Sequence, residues 1–347
     1  MKPPALENAF GLLEHEFAER GLPGSLFERV QRPWLWRSGR PWWSRRHDAA
    51  MRGVEVGLPV LEERFTSADG ATKVVVRFGN DRVEAVHMPR DVGNGRVTLC
   101  VSSQVGCAMG CGFCATARMG FGRHLSAGEI VAQVLAVVAE LGPRHPGELT
   151  LVFMGMGEPL HNLPEVGRAV AVLCEPRGLG LSPNRITLST SGLVPELDRL
   201  GTLAPRPLLA VSLNATTDET RGRLMPVGRR YPLSELCAAL TRFPVRPRER
   251  IMLEYVLLPG VNDTPDDAKR LAAFGARFSH QFNLIPWNAH PGAEFRSPTE
   301  LEIDAFASEL VAHTKAVVTV RRSRGRDVGA ACGQLVRGPS RPAASLP

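Results

Sequence analysis

Apolar and polar residues alternate with two distinct periods along most of the chain. From residue 97 onward, short apolar runs bounded by glycine, proline or polar residues alternate with longer segments in which apolar residues recur every three or four positions. The short runs predict buried strands and the longer segments predict amphipathic helices. Strands are expected at 97–103, 148–154, 185–190, 207–213, 250–258, 281–286 and 316–321. Helices are expected at 126–141, 163–173, 195–200, 218–224, 233–241, 264–278 and 299–313.

This order of elements predicts the fold class. Near-continuous apolar strands that alternate with helices are typical of a parallel sheet with helices outside it. The pattern is compatible with a full barrel, a partial barrel or an open doubly wound sheet. Ser126 and Glu129 have the spacing of a capping box, which supports a helix start at that point.

The first 92 residues are less regular and predict an accessory region. Residues 6–17 fit a helix, and residues 72–78 and 82–88 alternate apolar and polar positions around a short turn, which predicts a β-hairpin. Residues 32–46 place four tryptophans among five arginines. Such a segment fits a surface that stacks on unpaired bases, and it equally fits a small core whose arginines are solvated.

The composition indicates where in the cell the protein acts and what kind of partner it binds. No apolar run of the 347 residues approaches the roughly 18 that a membrane span needs. Residues 1–17 carry three glutamates and lack the apolar stretch of a secretory signal, so we expect a cytoplasmic protein with reduced cysteines. The net charge is +7, and almost all of the positively charged residues are arginines, which favour contacts with phosphate.

Three of the seven cysteines carry the strongest chemical signal. Cys107, Cys111 and Cys114 have the spacing C-x3-C-x2-C in a glycine-containing loop after a predicted strand. A structural zinc ion prefers four protein ligands, and no nearby Cys or His clearly supplies a fourth. A [4Fe–4S] cluster held by three cysteines leaves one iron open. The spacing is that of the radical S-adenosylmethionine (SAM) superfamily, so we favour the cluster.

The surrounding segments resemble the RlmN/Cfr family of RNA adenine methyltransferases. The similarity covers roughly residues 65–335 and includes residues 98–107, 154–159, 187–192, 284–288 and 330–335. It implies an α/β fold with a partial (βα)6 radical SAM barrel. The implied organisation is an accessory region at 1–92, the barrel at 93–328, a methyl-carrier loop at 329–338 and a disordered tail at 339–347.

The resemblance also implies a set of cofactor-binding residues. Cys107, Cys111 and Cys114 would hold the [4Fe–4S] cluster. The positions that match the SAM-binding residues of the family are Gly157, Glu158, Ser189, Ser212, Leu213, Asn214 and Asn288. Asn214 departs from the family pattern, which commonly has histidine there. Asparagine keeps a hydrogen-bond donor and an acceptor but does not titrate.

The resemblance further implies a covalent route. Cys332 would be methylated by a first SAM, and a second SAM, cleaved to a 5′-deoxyadenosyl radical, would take hydrogen from the S-methyl group. The carbon radical would then add to an adenine carbon, which is too poor a nucleophile to attack a sulfonium methyl directly. Cys100 matches the cysteine that resolves the protein–RNA adduct by forming a disulfide, and Glu84 matches the proton acceptor. Read without the family, Glu84 is an exposed strand carboxylate and Cys332 a small buried residue.

We therefore expect a radical SAM methyltransferase acting on adenine C2. The implied targets are adenine 2503 of 23S rRNA and adenine 37 of tRNA, and the arginines at 321–326 are expected to contact phosphate. The implied partners are RNA and a flavodoxin- or ferredoxin-type reductant, with no membrane, for a monomer. Alternatives are the C8-methylating branch, a radical SAM enzyme with a non-RNA substrate, and an RNA-binding protein with a structural zinc site.

Overall fold

A mixed β-sheet forms the centre of the computed structural model, which describes residues 7–36, 54–55, 58–90, 95–142 and 146–336. Most of the tryptophan- and arginine-rich segment, at 37–46, and the tail at 339–347 lie outside these residues. None of the helices in the described part of the chain combines the length and the apolar character of a membrane span.

The N-terminal segment does not form the single helix expected at 6–17. Its described part contains β1 (Glu7–Asn8), a 3₁₀ turn, α1 (Glu14–Glu19) and α2 (Gly24–Gln31), and β1 pairs in parallel with β2 (Val54–Glu55). The Asn8 side chain accepts a hydrogen bond from the N–H of Phe10 and starts the turn. Leu13 is extended, and its N–H donates to the Glu16 carboxylate, which caps α1. The helix prediction is wrong because two caps interrupt the apolar period.

Three antiparallel strands follow, and the last two form the predicted hairpin. They are β3 (Val60–Thr66), which the sequence pattern did not predict, β4 (Thr72–Phe78) and β5 (Asp81–Pro89). Phe78 pairs with Asp81, so the turn of the hairpin is Gly79-Asn80. The middle of β4 and of β5 is buried on both faces, although apolar and polar residues alternate there. Helical packing covers one side, and the C-terminal segment of the chain covers the other.

The rest of the chain alternates strands and helices with bounds close to those expected. The first elements are β6 (Val97–Cys100), β7 (Gln104–Gly106), α3 (Ala115–Arg118), β8 (Phe121–His124), α4 (Ala127–Leu141), β9 (Leu149–Phe153), α5 (Leu163–Cys174), β10 (Ile186–Thr190), α6 (Val194–Gly201) and β11 (Leu208–Ser212). They are followed by α7 (Asp218–Leu224), α8 (Val227–Arg230), α9 (Leu233–Arg242), β12 (Ile251–Leu257), α10 (Pro265–Gly275), β13 (His280–Pro286), α11 (Glu300–His313) and β14 (Val318–Val320).

The long sheet has the order β14-β13-β12-β11-β10-β9-β6-β5-β4-β3. The strands from β6 to β14 in this order are parallel, and β5, β4 and β3 extend the sheet in antiparallel fashion. The edge strands β14 and β3 do not pair with each other within the described residues. Six β-α units followed by β14 therefore form the expected partial barrel.

The helices α4, α5, α6, α9, α10 and α11 close the outer face of the sheet. Ser126 caps α4 with Glu129 as the reciprocal partner, which confirms the predicted capping box. The apolar faces of the helices meet the buried strand residues in one continuous core. Because the strands are parallel, their C-terminal ends lie along a single rim, where barrel enzymes place their functional side chains.

A buried ion pair ties two strands together at the opposite end of the barrel. Arg206 precedes β11, Glu249 precedes β12, and their side chains form two hydrogen bonds of 2.9 and 2.8 Å with almost no exposure. Arg246 adds a third bond of 2.7 Å to the same carboxylate. Burial raises the pKa of Glu249, but the two arginines outweigh it and hold the pKa at about 2. This end of the barrel therefore serves stability.

We expect Glu249→Gln to lower the free energy of unfolding by about 3 kcal/mol, because it leaves a buried guanidinium without its countercharge. Denaturant unfolding of the purified protein measures this. Asp198→Asn is the control, because Asp198 pairs with Arg242 at a half-exposed site, where such a pair contributes about 1 kcal/mol or less. Equal losses for the two variants would contradict a structural role for the buried pair. The wild-type contribution is present above pH 4.5 and is lost as the pH falls toward 2.

Candidate active site

Cys107, Cys111 and Cys114 lie on one loop between the paired strands β7 and β8, which we call the three-cysteine loop (residues 107–120). Gly106 precedes it with a φ of 75°, and a Cβ there would lie 1.9 Å from the carbonyl oxygen of Gly120. Only glycine fits both the left-handed backbone and this close approach. The Cys107 N–H donates to the same carbonyl at 2.9 Å, so the loop is closed at its base.

The three thiols of this loop line a central cavity. Burial raises the pKa of Cys107 to about 12 and that of Cys111 further, and the neighbouring thiols act in the same direction. Buried thiolates this close together need a compensating positive charge, which a metal cluster supplies.

The described residues contain no group of three or more His, Cys, Asp or Glu side chains arranged around a single ion. A [4Fe–4S] cluster asks for a different arrangement, because each thiolate binds a different iron atom. The shared wall and the mutual effect of the three thiols fit that requirement.

The turn after β9 forms the next part of the cavity wall. Gly157 has a φ of 102°, and a Cβ there would lie 2.6 Å from Cβ of Gln104. The Glu158 carboxylate is buried, and it accepts hydrogen bonds from the N–H groups of Leu160 at 3.0 Å and Ser191 at 2.7 Å. Burial raises the pKa of Glu158, and these bonds oppose the shift. Glu158 therefore joins the ends of β9 and β10 in addition to lining the cavity.

Serines from two strands meet a buried carboxylate in the middle of the cavity. Ser189 on β10 donates to Glu254 at 2.6 Å, and Ser212 on β11 lies 3.5 Å from the same oxygen. Glu254 is on β12 and is 4% exposed, and its second oxygen has no hydrogen-bond partner among the described residues. Glu254 was not among the residues expected from the sequence. The sequence marks it only as a single carboxylate inside an otherwise apolar strand.

The two residues after Ser212 have different surroundings. Leu213 is completely buried in the apolar core and does not line the central cavity. Asn214 lines the cavity and has a φ of 56°, a left-handed conformation that asparagine tolerates better than most residues. Its side-chain oxygen accepts from the N–H of Val256 at 2.9 Å. The residue that departs from the family pattern thus fastens β11 to β12.

Asn288 holds the loop that carries Cys332, which we call the Cys332 loop (residues 329–336). The Asn288 side-chain nitrogen donates to Ser323 Oγ at 2.9 Å and to the carbonyl of Cys332 at 3.1 Å. The neighbouring Trp287, which the sequence analysis did not select, donates from Nε1 to the carbonyl of Phe113 at 2.9 Å. The end of β13 therefore contacts both the three-cysteine loop and the Cys332 loop.

Cys332 lies between the central cavity and a second cavity inside the barrel, and it lines both. Cys100, at the end of β6, lines the second cavity together with Arg321. Burial raises the pKa of Cys100 to about 12, the nearby Cys332 adds to the rise, and Arg321 opposes it. The pKa of Arg321 is raised, first by Cys332. The two cysteines thus share a space and a neighbouring cation, and all seven cysteines are free thiols.

Of the arginines at 321–326, Arg321 lines the second cavity and donates to Met154 Sδ at 3.2 Å. Arg322 pairs with Glu300 at the surface, and Arg324 bonds to the carbonyls of Asp69 and Pro89. Arg326 is exposed.

Glu84 is a buried residue, which overturns its interpretation as an exposed strand carboxylate. Its side chain and that of Lys73 are both 0% exposed, and Lys73 Nζ lies 3.2 Å from the carboxylate. Lys73 also donates to the carbonyl of Gly329, at 3.4 Å, at the start of the Cys332 loop. Burial raises the pKa of Glu84 to about 7, with Lys73 opposing the rise. Glu84 lines neither of the two cavities and lies behind the Cys332 loop.

We expect Asn288→Ala to loosen the Cys332 loop, because it removes two hydrogen bonds worth about 1 kcal/mol each. Local opening of residues 329–336, measured by amide hydrogen exchange, is expected to increase about 10- to 30-fold. Asn184→Ala, at an exposed turn, is the matched control and is expected to leave exchange in this loop unchanged. Unchanged protection in Asn288→Ala would show that other contacts hold the loop.

Comparisons with known proteins agree with this geometry. A model of the radical SAM superfamily matches residues 101–272. The dual-specificity RNA methyltransferase RlmN of Syntrophobacter fumaroxidans is 50% identical over 287 residues, which are 82% of this chain and 82% of that protein. RlmN of Geobacter sulfurreducens is 50% identical over 270 residues, 78% of this chain and 72% of that protein.

Among solved structures, the crystal structure of a radical SAM methyltransferase from Sphaerobacter thermophilus matches with a TM-score of 0.85. It is 38% identical, and the match covers 95% of this chain and 99% of that one. The superfamily match contains the three-cysteine loop and Glu254 but ends before Asn288 and Cys332. The longer similarities extend over most of the fold.

Proposed function

Because this chain belongs to the RlmN family of radical SAM RNA methyltransferases, we propose that it methylates C2 of an adenine in 23S rRNA and in tRNA through an S-methylcysteine at Cys332. By family resemblance the adenines are 2503 of 23S rRNA and 37 of tRNA. The observation that carries the proposal is the position of Cys332, which lines both the cavity of the three cysteines and the cavity that contains Cys100.

The family binds a [4Fe–4S] cluster and SAM, which when bound supply a methyl group and a radical that abstracts hydrogen. We propose that Cys107, Cys111 and Cys114 hold the cluster. Gly157, Glu158, Ser189, Ser212, Asn214 and Asn288 all line the same cavity and would contact SAM, whereas Leu213 would contribute only its backbone. Two SAM molecules are consumed in each turnover under this proposal.

Cys332 acts as the methyl acceptor, and it lines the second cavity together with Arg321. Once the methyl carbon is bonded to adenine, Cys100 attacks the sulfur of Cys332. An S–S bond forms, the S–C bond breaks, and its electron pair passes to the carbon on the base, which takes up a proton and becomes the methyl group. An external reductant then returns the disulfide to the two thiols, Cys100 and Cys332. Glu84 accepts the proton lost from the adenine carbon, after the Cys332 loop has moved to uncover it.

A host strain that lacks its own adenine-C2 methylation tests the proposal. We expect expression of the wild-type chain to restore 2-methyladenine in 23S rRNA and tRNA, measured by mass spectrometry against position-resolved nucleoside standards. Cys332→Ala is expected to abolish the mark, because the methyl acceptor is gone. Finding only 8-methyladenine would overturn the C2 assignment, and a mark that persists in Cys332→Ala would overturn the covalent route.

Lys73→Met tests the role of the buried carboxylate. Loss of the neighbouring ammonium is expected to raise the pKa of Glu84 beyond about 7, because burial then acts unopposed. The acidic limb of the pH–rate profile for RNA methylation should move upward by about one unit, with about a fivefold lower rate at pH 7. Methylation of Cys332 in the absence of RNA should keep its pH profile.

Lys269→Met is the control for this experiment, because Lys269 forms an exposed pair with Asp266. An unchanged pH profile in Lys73→Met would exclude Glu84 as the proton acceptor. The same raised pKa predicts that the contribution of Glu84 to wild-type stability is present below pH 4.5 and is lost as the pH rises through 7. Thermal melts at pH 5 and pH 8 check this sign.

A further inference from the structure

A third cavity lies on the outer side of the Cys332 loop, which we call the side cleft. It has a volume of about 300 Å³ and is open to solvent. Its floor is formed by Gly329, Gln334 and Val336 of the loop. Cys332 of the same loop lines the central cavity, so the loop separates the two spaces. A volume of about 300 Å³ is at the lower end of the range for small-ligand sites.

The floor of the side cleft is fixed by hydrogen bonds to both walls. Gln334 Nε2 donates to the carbonyl of Ala289 at 2.6 Å, and Gln334 Oε1 accepts from the N–H of Ala331 at 3.3 Å. On the opposite side, the N–H of Ala115 donates to the carbonyl of Gly333 at 2.7 Å. A ligand in the cleft would therefore meet a surface that is already ordered, which lowers the entropic cost of binding.

Two arginines flank the cleft from separate parts of the chain. Arg118 belongs to α3, directly after the last cysteine of the three-cysteine loop, and Arg326 follows the left-handed Gly325. Both are exposed, and neither forms an ion pair with a carboxylate of the described residues. Asp327 also lines the cleft, but its carboxylate accepts hydrogen bonds from Ser67 Oγ at 2.6 Å and the N–H of Ala68 at 3.3 Å.

The remaining walls are mostly apolar. Met119, Pro291, Val336 and His290 also line the cleft. A cleft with two cations and apolar walls suits a nucleotide, because guanidinium groups bind phosphate oxygens and apolar side chains accept a base. The enzyme acts on RNA, so polyanionic RNA is the ligand to which this charge is complementary.

From these observations we propose that the side cleft binds a nucleotide of the RNA substrate that neighbours the target adenine, with its phosphate between Arg118 and Arg326 and its base against Met119 and Val336. This inference rests on the proposed function. It places the RNA strand across the outer side of the Cys332 loop, so that RNA binding and the position of Cys332 are coupled through the same eight residues, 329–336.

The test compares Arg118→Gln, Arg326→Gln and the double variant with Arg199→Gln, an exposed arginine of α6 paired with Glu196. Each single variant of the reconstituted holoenzyme is expected to raise KM for RNA about five- to tenfold with little change in kcat. The slope of log binding constant against log salt concentration should fall by about 0.7 for each arginine removed. Arg199→Gln should change neither quantity.

Methylation of Cys332 without RNA separates the cleft from the SAM site, because Arg118 and Arg326 do not line the central cavity. It is read as the gain of one methyl mass on the intact protein. A parallel loss of this half-reaction and of RNA methylation would show that the arginines support the fold, and it would overturn the proposal. If the Arg118 and Arg326 variants have the same KM for RNA and the same salt dependence as Arg199→Gln, the proposal for the side cleft is overturned and the proposed function stands. A wild-type enzyme that methylates no RNA would overturn both.

Photocrosslinking locates the bound nucleotide directly. With p-benzoylphenylalanine in place of Met119, the crosslink is expected within one or two nucleotides of the methylated adenine. A crosslink only to distant nucleotides would overturn the assignment. A further experiment adds adenosine monophosphate at millimolar concentration to the crosslinking reaction. If the free nucleotide abolishes the crosslink whatever the RNA sequence around the target, the cleft is a site for free nucleotides and the proposal is contradicted.

Discussion

Two short hydrogen bonds between the three-cysteine loop and the Cys332 loop hold the chemistry of this molecule in one place. The N–H of Ala115 donates to the carbonyl of Gly333 at 2.7 Å, and the Thr116 hydroxyl donates to the carbonyl of Leu335 at 2.7 Å across 219 residues of sequence. The proposed reaction needs both the three thiols of the three-cysteine loop and the thiol of Cys332. Their function depends on backbone contacts that fix one loop against the other.

The barrel provides the frame for these contacts through the geometry of parallel strands. Ser189, Ser212 and Glu254 belong to three adjacent strands and meet in one cavity, because equivalent strand positions face the interior together. The buried charge is balanced locally. Glu254 faces Arg321 at 3.9 Å, and Glu84 faces Lys73 at 3.2 Å, so each of these two carboxylates has a cation beside it. Removing one member of such a pair is destabilising, because the other charge stays buried without a partner.

The Cys332 loop has a different neighbour on each side. Cys332 itself faces the two interior cavities, Lys73 holds the carbonyl of Gly329 from below, and the side cleft lies on its outer surface. Under the two proposals, this loop lies between the bound RNA, the thiol and the buried carboxylate. Its movement is required under the proposed mechanism, because Glu84 lies behind it.

The sequence by itself determined the order of most strands and helices, and through its family resemblance it predicted the partial barrel and a set of candidate site residues. Periodicity is a local property, and the motif around Cys107, Cys111 and Cys114 is contiguous, so both are visible without coordinates. The prediction of a helix at 6–17 was wrong, because the capping hydrogen bonds of Asn8 and Glu16 interrupt the apolar period. Capping is also a local effect, but it depends on backbone geometry.

Only the tertiary structure decided which side chains are buried together. Lys73 and Glu84 look like surface residues of a hairpin until the C-terminal segment covers them, and Glu254 is one carboxylate of a strand until it meets Ser189. Arg321 could not be separated from its neighbouring arginines by sequence, since its partner Cys332 is reached through space. Burial and pairing depend on contacts between distant parts of the chain, and the local pattern of a sequence carries no direct record of them.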